Sequence, residues 1–234
     1  MTNRRALLAL AAALAAGSLG ATALPEPAQA QGAAKPKPKP KPKQIFPYWE
    51  NYLKIPAAER TRFAPGYFLT WKGPKPAAEL PMFAVDGARR VPIAVGPDGR
   101  MTPPPVEFFR SKTALMDAPG AEGHSFNVSL ELLATMAPAR EVAASEVTAT
   151  LNQSNAGIRK AAGLIGIAAP KMGRMIFVGA GSGEAVDASG RRTPLPIVRG
   201  APYFQPSAMP TAQRVVLARA PSKMMLSPSP KDKG

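Results

Sequence analysis

The sequence predicts an α+β protein: antiparallel strands, arranged as a sheet or a sandwich, packed against one long helix behind an N-terminal signal and a Lys-Pro linker. Three observations carry that class. Residues 144–169 hold Val147, Leu151, Ile158, Ala162, Ile165 and Ala169 at gaps of four, seven, four, three and four, one stripe of a helix of period 3.6. The chain contains 28 prolines and 20 glycines alongside 45% apolar residues, a balance that suits strands and turns around a core better than a helical bundle. Short alternating runs fill most of the remainder. The clearest is 125–133, where Phe126, Val128, Leu130 and Leu132 face one way and Asn127, Ser129 and Glu131 the other.

Taken in order, residues 1–30 read as a secretory leader: a start carrying Arg4 and Arg5, an apolar run over 6–16, and Ala28-Gln29-Ala30 as the cleavage site. Cleavage there leaves no transmembrane span. Residues 31–43 form a linker in which Lys35, Lys37, Lys39, Lys41 and Lys43 alternate with proline. Each proline fixes its own φ and restrains its predecessor, so the tract is expected as polyproline II, reaching roughly 28 Å at about 3.1 Å per residue. Over these nine residues it resembles the Lys-Pro spacer of TonB-type energy transducers of the Gram-negative envelope. The resemblance implies a periplasmic spacer and no shared activity.

A β-rich domain is expected over 44–228, with room for a subdivision near 137–143, followed by a fraying tail at 229–234. Its first part concentrates aromatics: Phe46, Tyr48, Trp49, Tyr52, Phe63, Tyr67, Phe68 and Trp71. Core packing is the favoured reading and a platform for sugar rings the sharper one. Short helices are expected at 47–53 and 56–60, then a strand at 67–72 with Tyr67, Leu69 and Trp71 on one face. Strands at 82–85 and 91–95 are punctuated by Asp86-Gly87 and Asp98-Gly99 turns, and Pro103–Pro105 ends the unit. Residues 114–116 are expected to pair with 125–133 across the turn at 119–123. Ser145 is the expected N-cap of the long helix, with Glu146 in its first turn, and Pro170 its stop. Beyond it come a strand at 175–178, a hairpin of 184–187 with 194–198, and strands at 213–218 and 223–227. Val85–Ile93 and Val186–Pro194 share the order strand, Asp, Gly-containing turn, Arg-Arg, one residue, Pro, which reads as one hairpin motif used twice.

Charge and cysteine content narrow the function. Lys and Arg total 30 against 15 Asp and Glu, a formal charge of +15, and the excess persists beyond both the leader and the Lys-Pro tract. Such a chain associates with anionic surfaces and loses affinity as salt rises. In an exported protein those surfaces are phospholipid, lipopolysaccharide or wall polymer, so no nucleic acid partner is expected. The absence of cysteine removes disulfides, thiolate nucleophiles, Cys-ligated zinc and a lipid-modified N-terminal cysteine.

The motifs that carry chemistry elsewhere do not complete themselves here. Val178-Gly-Ala-Gly-Ser-Gly183 follows a strand, but Glu184 stands where a dinucleotide fingerprint needs its last glycine, and no helix follows. A strand-end turn is the better reading. His124 is the single histidine, so a three-histidine or H-E-x-x-H zinc site is excluded and no metal is expected. No cofactor is expected either. Arg89, Arg90, Arg191 and Arg192 sit beside the two hairpin turns and, with the lysines of the tract, are the candidate anion-binding residues. The sequence therefore points to a periplasmic or secreted non-catalytic envelope protein that binds or scaffolds against an anionic component or another envelope protein. The alternative is a hydrolase of envelope polysaccharide or peptide, which requires two convergent carboxylates, or His124 near a serine.

Overall fold

The computed structural model describes residues 39–73, 79–162 and 170–229. The chain divides into two units, residues 1–37 and 38–234, and every described residue belongs to the second. The expected leader, Lys35, Lys37, the expected continuation of the long helix over 163–169, and residues 230–234 lie outside the described residues.

The second unit is α+β, built mostly of antiparallel strands with one main helix. Two short helices, α1 (Pro42–Ile45) and α2 (Trp49–Lys54), and a 3-10 turn (Ala57–Glu59) precede β1 (Phe63–Lys72). There follow β2 (Phe83–Asp86), β3 (Arg89–Pro92), β4 (Arg100–Met101), α3 (Val106–Arg110), β5 (Leu115–Asp117), β6 (Ser125–Ala134) and β7 (Glu141–Ala143). The long helix α4 (Ala144–Ala162) leads to β8 (Met172–Val178), β9 (Gly183–Asp187), β10 (Arg192–Pro194) and β11 (Ile197–Val198). Last come β12 (Ala201–Phe204), β13 (Ala212–Leu217) and β14 (Lys223–Pro228).

These strands make three sheets, ordered β11-β12-β8-β14-β6-β1-β4, β10-β9-β13-β7 and β3-β2-β5. One core fills the space among α4, the four-stranded sheet and the large sheet, with Val147, Met175, Phe177, Phe204, Val215 and Leu217 fully buried. The other core gathers Tyr67, Leu69 and Met101 of the large sheet, Ala84 and Met116 of the three-stranded sheet, Phe108 and Phe109 of α3, and Phe46 just past the end of α1. Phe63, Tyr67 and Leu69 lie on one face of β1 by the alternation of a strand, so a single strand feeds both cores.

Several expectations are corrected. Residues 114–116 and 125–133 do not pair: β5 pairs with β2, and β6 pairs with β1 along all ten of its residues and with β14 at Leu132 and Leu133. The physical reason is Met116, which enters the core beside Ala84 and Phe108 only when β5 lies on β2. The face expected to be buried on β6 is incompletely covered, with Phe126 and Leu130 exposed and Leu133, on the other face, buried. Residues 194–198 are split: Pro194 stays opposite Glu184 in the hairpin, while β11 pairs with β12 in the large sheet. The triple proline does end the strand unit, at β4, and a helix not expected from the sequence, α3, follows it. Pro105 is its N-cap, and Pro103–Pro105 lead the chain into a turn that buries Phe108 and Phe109.

The long helix begins directly at the end of β7, so Ser145 lies in its first turn instead of capping it. Its buried face also differs from the apolar stripe. Thr150, Ser154 and Asn155 are buried polar residues on that face. Each is satisfied locally: Thr150 donates to the Glu146 carbonyl, Ser154 to the Leu151 carbonyl, and Asn155 exchanges two hydrogen bonds with the main chain of Met172. Burial of these groups is tolerated because none is left without a partner.

The edges are short or interrupted. Pro92 ends β3 and Pro194 ends β10, both outer strands of their sheets. On the β4 side of β1, the Leu69 N–H donates to the Gly99 carbonyl at 2.8 Å, and alternation turns the main-chain groups of Pro65 and Phe63 the same way. Pro65 has no N–H, and the Phe63 carbonyl accepts the Tyr52 hydroxyl at 3.0 Å. The outer edge of β5 is met by the Lys-Pro tract itself: the Met116 N–H donates to the Pro40 carbonyl at 2.7 Å. The tract was expected to stay extended through Lys43, yet its last residues form α1, and Pro42 is buried.

Candidate functional site

An open groove of about 580 Å³ lies beside β1, reached from α2, the 3-10 turn and the β4 turn. Trp49 and Tyr52 stand three residues apart on α2, hence on one helix face. Their rings stack at 5.5 Å and 25°. The pair is held from beneath, with Tyr52 edge-on to Phe63 at 5.8 Å and Trp49 edge-on to Tyr67 at 6.4 Å. The Tyr67 hydroxyl donates to the Pro47 carbonyl at 2.7 Å, fixing the bend from which α2 starts. Burial raises the Tyr67 phenol far above its ordinary value, so it stays a neutral donor. At that bend Tyr48 is 71% exposed and adopts φ of 63°, a left-handed conformation that costs a non-glycine residue about 1–3 kcal/mol.

Arg60 closes one wall. Its Nε donates to the Ile55 carbonyl at 3.0 Å, and its guanidinium lies 4.9 Å from the centre of the Tyr52 ring. Arg100 and Asp98 come from the β4 turn, where Asp98 Oδ1 accepts the Arg100 main-chain N–H at 3.0 Å. That turn needs Gly99: its φ is +80°, and a Cβ there would sit 2.5 Å from the Leu69 carbonyl oxygen. Arg60 and Arg100 have no carboxylate partner among the described residues.

The candidate residues read from the sequence are dispersed and largely engaged. Lys39 pairs with Asp117 at 2.5 Å and Lys43 with Glu50 at 2.8 Å, while Lys41 is exposed. Arg90 reaches the same Asp117 at 3.8 Å and lies 3.7 Å over the Phe83 ring, and Arg89 lies 5.1 Å over Phe108. Arg191 pairs with Asp187 at 3.1 Å and Arg192 with Glu184 at 2.8 Å, both within their own hairpin. The two Arg-Arg pairs belong to hairpins of different sheets. Lys39 and Arg90 meet at Asp117.

In both hairpins the Asp carboxylate is hydrogen-bonded, Asp187 within its own turn and Asp86 by the segment that follows α3. Hydrogen bonds from Thr113 and Ser111 hold Asp86 below the usual carboxylate range; Ser189, with the main-chain N–H groups of Arg191 and Ser189, does the same for Asp187. A smaller hollow of about 260 Å³ lies between this second hairpin and residues 208–212, with Asp187 and Arg191 already committed to each other. The glycine string forms the turn from β8 to β9, with Gly179 and Gly181 both at φ of +79°.

No family model, curated protein or solved structure matches this chain. Among the described residues no helix is long and apolar enough to cross a membrane. Of the described residues lining the large groove, Asp98 is the only acid, where a glycosidase uses two. His124 lies outside it, with Nδ1 3.2 Å from the Glu122 carbonyl and its ring stacked on Phe126. Sequence reading placed Trp49 and Tyr52 in an aromatic cluster but missed Arg60 and Arg100. The local signal for Arg60 was its position eight residues after Tyr52. Nothing local links Arg100, which arrives through the pairing of β4 with β1.

Proposed function

We propose that this chain is an exported envelope protein that binds an anionic component of the envelope, polymer or partner protein, without chemistry on it. Support comes from the leader pattern, the twofold excess of cationic over acidic residues, and above all the groove. Among the described residues its two arginines form no ion pair, while most other described cations of the hairpins and tract do. An unneutralised cation beside a concave aromatic wall is a recognition surface for a group bearing the opposite charge. The remaining exposed cations add long-range attraction that salt screens.

The full chain is expected to cosediment with purified wall sacculi or lipopolysaccharide at low ionic strength and to be released progressively by added salt. Absence of retention at low salt refutes the proposal.

A further inference from the structure

Resting on that reading, we infer that the groove recognises a carboxylated saccharide, with the sugar ring against Trp49 and its carboxylate on Arg60. Three features on the groove select this ligand over a simple polyanion. The stacked Trp49–Tyr52 pair offers a half-buried flat apolar surface, which suits the C–H face of a pyranose ring and does nothing for a bare phosphate chain. Arg60 is held by two contacts that leave its terminal nitrogens uncommitted among the described residues: the Nε bond to Ile55 and the stack over Tyr52. A guanidinium fixed in this way presents a planar fork whose geometry matches a carboxylate, and little further ordering is lost on binding. Asp98 spends one oxygen on the Arg100 N–H and can accept a sugar hydroxyl with the other, while Arg100 supplies a second cation on its side of the groove. The volume lies within the range of about 300–1,000 Å³ typical of small-ligand sites.

The chain has two tryptophans, so the full chain carrying Trp71→Phe reports on Trp49 alone. Its fluorescence is to be titrated with tri-galacturonate, with maltotriose as the neutral ring and with tripolyphosphate as the ringless anion. Tri-galacturonate is expected to give a saturable change, with maltotriose and tripolyphosphate each at least about tenfold weaker. Arg60→Gln and Arg100→Gln are each expected to weaken tri-galacturonate about tenfold, the effect of losing one charged hydrogen bond. Arg60→Lys is expected not to rescue, because an ammonium has no fork. Tripolyphosphate binding as tightly as tri-galacturonate overturns the saccharide assignment and leaves the anion-binding function standing. Equal response to maltotriose overturns the carboxylate role. No change at Trp49 with any probe, while sacculi still retain the chain at low salt, removes the groove as the site. Loss of both signals refutes the function and this inference together.

Discussion

Replacing Gly157 with alanine is expected to destabilise the protein even though it improves the helix. Within a helix, glycine to alanine gains about 1 kcal/mol from propensity. Here α4 presses Gly157 against β1. A Cβ at this position would overlap Phe63 Cζ, approach Cε1 to 3.0 Å and meet Ile55 Cδ1 at 3.3 Å. Phe63 and Ile55 are 2% and 3% exposed, and the Phe63 ring is hemmed edge-on by Tyr52, so it has nowhere to swing. Overpacking of this kind costs about 1–3 kcal/mol. The steric cost therefore outweighs the propensity gain by about 1 kcal/mol, equivalent to about 2–4 °C in Tm for a domain of this size. Thermal and urea unfolding followed by circular dichroism measure it. The decisive control is the same change in a Phe63→Leu background. With the ring tip gone, Gly157→Ala should there become stabilising. A rise in Tm for Gly157→Ala alone would show that Phe63 yields without cost and would refute the reasoning.

Tyr67→Phe removes the donor to the Pro47 carbonyl and should cost about 1–2 kcal/mol in urea unfolding, since the acceptor stays part-buried. In the wild type, the raised Tyr67 phenol keeps its proton after the unfolded chain has lost it. Stability is therefore whole below pH about 10 and falls as pH rises above that, and one tyrosine should ionise only on alkaline unfolding in a spectrophotometric titration. Asp86 and Asp187 have lowered values, so their contribution is present above pH about 4 and is lost as pH falls through their folded values. Asp86→Asn with Asp187→Asn should flatten the acid limb of the stability profile, and an unchanged limb would contradict the assignment. Asp117→Ala removes the carboxylate shared by Lys39 and Arg90. Cutting by trypsin after Lys43, the one lysine of the tract not followed by proline, should speed up several-fold with little change in Tm, because exposed pairs are worth at most about 1 kcal/mol.

Much of the fold was legible because it follows from local pattern. The helix at Ala144, the strand at 125–133, both Asp-Gly turns and the two Arg-Arg hairpins all rest on periodicity or turn chemistry within a dozen residues. What was not legible was long-range choice. Residues 114–116 carry no mark of whether they lie on β2 or β6; the decision is made by room for Met116 in a core assembled from five elements. The polar buried face of α4 defeats a hydrophobic stripe, because Asn155 is buried only once Met172 has come to meet it. The groove fails for the same reason. Trp49, Tyr52 and Arg60 are neighbours in sequence, but Arg100 joins them only through the two-residue pairing of β4 with β1. The arginines chosen from the sequence were conspicuous as doublets, and the hairpin geometry that made them conspicuous also supplied Asp187 and Glu184 to neutralise two of them.

The proline placement along the strand margins carries a consequence for crowding. A protein attracted to a charged surface accumulates there at high local density, the condition under which open ladders zip neighbouring copies into fibrils. Pro65, Pro92 and Pro194 withhold donors along three margins, and the lysine-proline arm lies along a fourth. On the proposed reading, copies bound side by side on a polymer stay individually folded, and salt elution should release them as monomers.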